Sequence, residues 1–273
     1  MLVEAQPPKA LRAKELGVSR GSLYYQPKQP NKDWILKCQI EETLREYPSY
    51  GSRRIATQLK LNRKPVKRVM NLFGIKAYRR HGRKWKKTKN IKVVYPNLLL
   101  TTYPAYENHI WAADFTHIPF QGKTVYVATV EDLFTRKIVG FSVYTTHAVQ
   151  LVLSALMNAL HTNSRPTIFH SDNGSEYNAD IFIEALKTVG TFISRSAPGC
   201  PWENGYQESF YDKFKIDLGD PCRFKTLGEL VYEIYRTIWK YNNTRIHSAL
   251  KMSPVQFALL SAQSYNGTYK VSV

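Results

Sequence analysis

Residues 110–118, with the sequence IWAADFTHI, set the expectation for the fold of this chain. Odd-numbered residues such as Trp111 and Phe115 share one face of this stretch, and even-numbered residues share the other, which predicts a β-strand. Asp114 lies in the middle of the stretch, where a charge is costly unless it is paired or binds a metal ion. The stretch therefore indicates both a sheet and a candidate functional carboxylate.

The segments that follow continue this pattern and complete a sheet with helices around it. Two β-rich runs come directly after the first strand, and their short spacing predicts an antiparallel meander. Beyond them, helices alternate with short strands in βαβ-like units. The predicted runs are strands 124–130 and 137–144, helix 146–161, strand 167–170, helix 178–189 and strand 191–195. We expect an α/β protein with a mixed five-stranded sheet flanked by helices.

The residues before this sheet predict an all-α region of the helix-turn-helix type. Residues 10–25 have Gly17 at a sharp turn and Ser19 as the N-cap of a second short helix. Further helices are predicted at 34–47, 52–61 and 64–73. The last of these has an apolar stripe, and four basic residues lie off that stripe: Arg63, Lys64, Lys67 and Arg68. A DNA recognition helix and an ordinary solvated face of a helical bundle fit this pattern equally well.

The charge of the chain is concentrated at one end. The net charge is +18, and residues 1–107 hold 24 Lys and Arg against 7 Asp and Glu, a balance of +17. The remaining residues hold 15 against 14, a balance of +1. A segregated positive field is typical of proteins that bind polyanions, because neutralised phosphates release their counterions. We therefore expect DNA as a partner, and a solubilising or anionic-membrane-facing surface is the alternative.

A basic linker follows the predicted helices. Residues 76–92 contain nine Lys and Arg, no acid, and the interleaved aromatic residues Tyr78 and Trp85. Such a run repels itself when free, and we interpret it as a segment that tracks along DNA phosphates. Its candidate contacts are Arg79, Arg80, Arg83, Lys84, Lys86 and Lys87.

Two more acids join Asp114 as candidates for a metal site. Asp172 follows the fourth predicted strand, at the edge where open α/β sheets place their ligands. Glu208 lies in a later helix, and Lys215 falls two turns further along the same face. Carboxylates with substrate phosphate can complete the coordination of Mg²⁺. A chain with 21 acids contains many such triples, so spacing alone leaves an incidental grouping open.

Several motifs of the chain resemble those of a known superfamily. The segments WAADFTHI (111–118), HSDNGSEY (170–177) and PGCPWENGYQESF (198–210) resemble the catalytic signatures of retroviral integrases and their relatives. The separation of Asp172 and Glu208 by 35 residues and the basic Lys215 match as well. The chain is most similar to the second-reading-frame transposase of bacterial two-frame insertion sequences. Segments YGSRRIATQL (50–59) and YNNTRIHSALKMSP (241–254) resemble that family too.

The resemblance implies a fold, an activity and its partners. It implies a ribonuclease H-like core in which Asp114, Asp172 and Glu208 bind two Mg²⁺ ions, with Mn²⁺ able to substitute. Such enzymes cleave a phosphodiester bond at the end of the element and join the freed 3′-OH to another strand. Lys215 would hold DNA near the scissile phosphate, and Asn173, a further candidate DNA contact, would lie in a flexible loop beside the site. A homo-oligomer on DNA, and an upstream-frame partner protein or frameshift fusion, are also implied.

The remaining features complete the expected organisation. We predict an arm at 1–30, a helical DNA-binding domain at 31–75, a basic linker at 76–107, a catalytic core at 108–222 and a helical extension at 223–273. Arg245 and His247, between the last helices, are candidate DNA contacts, with structural roles as an even alternative. Three scattered cysteines argue against a zinc finger, and the lack of a long apolar run argues against a membrane span. We expect a cytoplasmic, nucleoid-associated protein. A DNA-binding regulator without catalysis and a simple nuclease of the same fold are the competing hypotheses.

Overall fold

The computed structural model describes residues 9–24, 29–78, 95–197 and 199–268. The N-terminal part contains α1 (Lys9–Glu15), a 3₁₀ turn (Arg20–Tyr24), α2 (Gln29–Glu46), α3 (Ser52–Gln58) and α4 (Arg63–Leu72). The second part contains β1 (Ile110–Phe120), β2 (Lys123–Asp132), β3 (Ile138–Tyr144), α5 (Val149–Thr162), β4 (Ile168–Ser171), α6 (Asp180–Thr188), β5 (Phe192–Arg195), α7 (Gly205–Leu218), α8 (Leu227–Asn243) and α9 (Pro254–Thr268). Within these ranges, no helix combines the length and the apolar character needed to cross a bilayer.

The five strands form one mixed sheet, as predicted. Their order is β3-β2-β1-β4-β5, in which β1, β2 and β3 are an antiparallel meander. Strand β4 runs parallel to β1, and β5 runs parallel to β4. With helices on both faces, this is the ribonuclease H-like arrangement that the resemblance implied. The strand at the centre of the sheet is β1, which contains residues 110–118.

The alternation along β1 separates two layers of core. Trp111 and Ala113 pack with α5 and α6 on one face, in a cluster that includes Leu156 and Phe182. On the other face, Ile118 belongs to a cluster formed with α7 and α8: Val127, Phe210, Phe214, Leu230, Ile234 and Ile238. Helix α8 thus contributes to the central core, so the packing of the core continues beyond the boundary predicted at residue 222.

The helical domain, which we define as α2–α4, has its own apolar core. Ile40, Ile55, Val66 and Val69 are fully buried at its centre. Helix α2 begins at Gln29, upstream of the predicted start at residue 34 and of the domain boundary predicted at residue 30. The proline at position 30 does not break this helix, because a first-turn residue has no intrahelical partner for its N–H in any case.

The helical domain is docked on the second part of the chain by polar contacts, which we call the joint. Arg245 donates to Asp217 at 2.6 Å and to Ser49 at 2.7 Å. The Ser49 hydroxyl donates to Asp217 at 2.9 Å, and the backbone N–H of Ile246 donates to the Tyr50 hydroxyl at 2.7 Å. The two family-like segments at 50–59 and 241–254 therefore meet in space, although all five strands of the sheet lie between them in the sequence.

One buried acid gives the sheet a pH-dependent stability. Glu131 of β2 is 2% exposed, and burial raises the pKa of its carboxyl to about 8, with Arg136 opposing this shift. The unfolded chain releases this proton near pH 4.5, so stability is lost as the pH rises from about 4.5 to 8. We compare the free energy of unfolding of Glu131→Gln with that of the parent. We expect this difference to favour the variant by roughly 2–4 kcal/mol more at pH 8.5 than at pH 4.5. Urea unfolding at both pH values measures this, and parallel pH profiles would contradict it.

Candidate active site

Three elements bring the predicted carboxylates to one end of the sheet. Asp114 lies within β1, and Asp172 comes directly after β4. Because Ala112 and His170 are paired in the parallel ladder, Asp114 and Asp172 each lie two residues beyond that pair on neighbouring strands. Their side chains therefore leave the sheet in the same region.

The third carboxylate is supplied by α7, whose first turns are attached to the backbone of β1. Gln207 donates to the carbonyl of Ala112 at 2.6 Å, and the Tyr211 hydroxyl donates to the carbonyl of Asp114 at 2.7 Å. Glu208 follows Gln207 directly in the first turn of α7 and is exposed. Hydrogen bonds on both sides of Glu208 thus hold this part of the helix beside Asp114.

The electrostatics of Asp114 show that the charges of the other two acids reach it. Burial, the charge of Asp172 and then that of Glu208 raise the pKa of the Asp114 carboxyl, which is about 7 in the folded chain. The backbone N–H of Phe115, which donates to Asp114 at 2.8 Å, and the charge of Lys215 lower it. Repulsion between carboxylates that a protein holds together is the condition that a bound divalent cation relieves.

Asp172 is held by the loop that follows it. Burial raises its pKa, whereas the backbone N–H of Gly174, donating at 3.0 Å, lowers it. The side-chain amide of Asn173 donates to the carbonyl of Ser196 at 2.8 Å, so its N–H is used to attach the loop to the residue after β5. The sequence predicted Asn173 as a DNA contact, and the structure gives this side chain a backbone partner.

Two side chains beside Asp172 were missed in the sequence analysis. Glu176 is 8% exposed, and an added Cβ on Gly174 would lie within 3.0 Å of Asp172 and 3.1 Å of Glu176. His147, from the residues before α5, lies 3.2 Å from the Glu176 carboxylate. Glu176 lies in the same loop as Asp172, four residues further along and within the segment 170–177, but no sequence spacing relates His147 to either of them.

The three carboxylates are suitable ligands for a hard divalent cation, although their oxygens do not surround one common point. Within the described ranges, no group of three His, Cys, Asp or Glu side chains is arranged so that it could hold a metal ion as it stands. Asp114, Asp172 and Glu208 nevertheless offer carboxylate oxygens, the ligands that Mg²⁺ prefers, together with waters and substrate phosphate. The exposed Glu208 side chain is the one with freedom to turn toward the two aspartates.

The structure divides the predicted DNA-binding residues into several groups. Arg63, Lys64 and Lys67 are exposed on α4, opposite its buried stripe, and Lys215 is half-buried beside the acids. Arg68 is also exposed, and it makes two 2.5 Å contacts with the carboxylate of Asp33. The contacts predicted in the basic linker lie outside the described residues: Arg79, Arg80, Arg83, Lys84, Lys86 and Lys87.

The two candidates near the C-terminus lie at the joint. Arg245 is 3% exposed and uses its guanidinium on Asp217 and Ser49. We assign it the structural role that the sequence analysis left as the alternative to DNA contact. His247 is half-buried, and its Nδ1 has no hydrogen-bond partner in the described part of the chain.

Comparison with known proteins places the chain in a family. Residues 104–201 and 189–254 match two models described as integrase core domain. The chain is 34% identical to the transposase for insertion sequence element IS904 of Lactococcus lactis subsp. lactis (strain IL1403), over 84% of this chain and 96% of that protein. It is 31% identical to the insertion element IS600 uncharacterized 31 kDa protein of Shigella sonnei, over 88% and 95%.

A structural comparison gives a more distant likeness. The HTLV-2 integrase catalytic core domain, solved in complex with magnesium, has 19% sequence identity and a TM-score of 0.45, covering 57% of this chain and 99% of that one. The identity to full-length relatives carries the assignment, and the central strand, the parallel β4 and the three acids lie in the matched segments. The chain therefore belongs to the insertion-sequence transposases of the retroviral-integrase superfamily, proteins of DNA transposition.

Proposed function

We propose that this transposase cleaves a phosphodiester bond at the ends of its element and joins the freed 3′-OH to another DNA strand. The observation that carries the proposal is the convergence of Asp114, Asp172 and Glu208 from β1, the end of β4 and α7. An in-line displacement at phosphorus needs an aligned nucleophile and neutralised charge, and it needs no covalent protein intermediate.

The three carboxylates would hold two Mg²⁺ ions, or Mn²⁺ in their place. Bound there, such ions supply charge stabilisation for the attacking and leaving oxygens of a displacement. Gln207 and Tyr211 orient the α7 backbone around Glu208, and the Gly174 N–H orients Asp172. Lys215, whose charge lowers the pKa of Asp114, would offset phosphate charge on the same face of α7.

The proposed partners follow from the same activity. DNA at the element ends and at the target is the substrate, and we propose that the protein works as a homo-oligomer at the nucleoid in the cytoplasm. An upstream-frame partner or a frameshift fusion would supply further DNA recognition. The exposed basic side of α4, with Arg63, Lys64 and Lys67, is the face that we propose for duplex contact.

A strand-joining assay tests this proposal against its competitors. Given a pre-cut duplex with a free 3′-OH, the protein with Mg²⁺ or Mn²⁺ is expected to join that end to a second duplex, giving a longer labelled strand on a denaturing gel. A simple nuclease would shorten DNA without joining it, and a DNA-binding regulator would bind without either product. The same reaction with and without the upstream partner shows whether that partner is required.

A further inference from the structure

A cavity of about 110 Å³ lies at the joint, among α3, α7 and the residues after α8. We call it the joint cavity. Its ionisable lining residues are Arg54, Glu131, Arg136, Lys213, Arg245 and His247. Its volume corresponds to three or four water molecules at about 30 Å³ each, enough for a tetrahedral phosphate group. The cavity lies on the side of α7 turned away from Glu208, so it is separate from the candidate active site.

Two of its guanidinium groups make no ion pair in the described part of the chain. The acid in the same lining, Glu131, has its pKa raised to about 8 by burial, so it is largely uncharged at pH 7. Arg245 is paired with Asp217 at 2.6 Å, and Lys213 is paired with Asp212. Within the described residues, neither Arg54 nor Arg136 lies within ion-pair distance of a carboxylate. The Nε of Arg54 is buried without a hydrogen-bond partner there, as is Nδ1 of His247.

Aromatic rings lie beside both of these cations. The guanidinium of Arg136 lies 4.1 Å from the centre of the Tyr206 ring, and that of Arg54 lies 5.6 Å from the Tyr50 ring. Burial and then the charge of Arg245 lower the pKa of Arg54, which shows that the cations repel one another. Half-buried like charges with unused N–H donors are stabilised by an anion that accepts several charge-assisted hydrogen bonds.

A larger groove of about 550 Å³ continues from the joint cavity, and the two share Arg54 and Lys213. Arg53 and Arg63 add basic groups along it, and Tyr78 adds an aromatic ring. Because Arg63 begins α4, the groove leads from the joint to the helix proposed for duplex contact. A polyanion with regularly spaced charges matches a basic path of this kind better than an isolated ion does.

We propose that the joint cavity holds one backbone phosphate of DNA between Arg54 and Arg136, and that the groove leads the same strand to α4. The assignment rests on the proposed function, since it takes DNA as the substrate. Ordering this phosphate would place DNA across both parts of the chain at once. DNA bound in this way would align the helical domain with the catalytic carboxylates.

Binding of a duplex oligonucleotide by the full chain, measured by fluorescence anisotropy at several salt concentrations, tests the proposal. We expect Arg54→Gln and Arg136→Gln each to weaken binding about tenfold at low salt and to reduce the slope of log affinity against log salt by about 0.9. Arg236→Gln is the matched control, because Arg236 is an exposed arginine of α8 paired with Glu233. It is expected to bind like the parent, and Arg54→Lys is expected to keep most of the slope.

A second measurement separates this inference from the proposed function. Inorganic phosphate, compared with chloride at equal ionic strength, should raise the Tm of the parent chain and leave that of Arg54→Gln and Arg136→Gln unchanged. An unchanged salt slope in both variants, or an equal loss in Arg236→Gln, would overturn the proposal even if phosphate raises the Tm. If strand joining fails but both the slope and the Tm effects hold, the proposed activity falls and the phosphate site stands.

Discussion

Replacing Asp114 with Asn is expected to lower the rate of end cleavage by about a thousandfold, equivalent to about 4 kcal/mol of barrier, and to leave DNA binding nearly intact. The substitution keeps the shape of the side chain and removes one ligand charge from the proposed metal site. Asp172→Asn and Glu208→Gln are expected to act in the same way, because all three carboxylates would share the ions. Cleavage of labelled element ends under single-turnover conditions measures the loss.

The stability of the Asp114→Asn variant distinguishes a lost ligand from a damaged fold. Burial and the charge of Asp172 raise the pKa of Asp114, so an uncharged amide removes repulsion and the Tm in the absence of metal is expected to be unchanged or higher. Asp180→Asn, at an exposed acid in the first turn of α6, is the control with the same chemical change and is expected to cleave normally. Full cleavage by any of the three carboxylate variants would refute the assigned site.

The second large effect is expected at the joint. Arg245→Ala would leave the carboxylate of Asp217, whose side chain is 10% exposed, buried without its cation. Removal of one partner from a buried ion pair typically costs about 3–5 kcal/mol, because the remaining charge loses its compensation. We expect this decrease in the free energy of unfolding, measured by urea denaturation. We also expect the helical domain to lose contact with the core at a lower urea concentration than in the parent.

An exposed arginine provides the comparison for this effect. Arg236 lies on the surface of α8 in a pair with Glu233, and Arg236→Ala is expected to cost less than about 1 kcal/mol because water screens the pair. The double variant with Asp217→Asn should recover part of the loss, since it removes the uncompensated charge. If Arg245→Ala were no more destabilising than Arg236→Ala, the joint would not be a stabilising contact.

The sheet was predictable because its signal is local. Alternation along residues 110–118 places Trp111 in one core and Ile118 in the other, and short spacings between the next runs dictate an antiparallel meander. The start of α2 was not predicted correctly, because the helix begins at Gln29 and the prediction placed its start at residue 34. A first-turn proline and a breaking proline look identical in sequence, and only the packing of the helix distinguishes them.

The functional residues show the same division. Asp114 was recognisable because a charge inside a strand needs a reason, and motif resemblance linked it to Asp172 and Glu208. The contacts of Arg68 and Arg245 could not be assigned from the sequence, because a basic residue looks the same whether it faces a phosphate or a buried carboxylate. Arg68 pairs with Asp33 and Arg245 pairs with Asp217, and in both pairs the partners are distant in the sequence.

The chain's own sequence determined the strand pattern and the segregated charge, because these depend on neighbouring residues and on composition, and motif resemblance singled out the three acids. Only the tertiary structure decided which cations are compensated, that the segments at 50–59 and 241–254 form one joint, and that Arg54 and Arg136 share a cavity. Pairing and burial depend on distances between residues far apart along the chain. Those distances are properties of the packed molecule, since no local pattern encodes them.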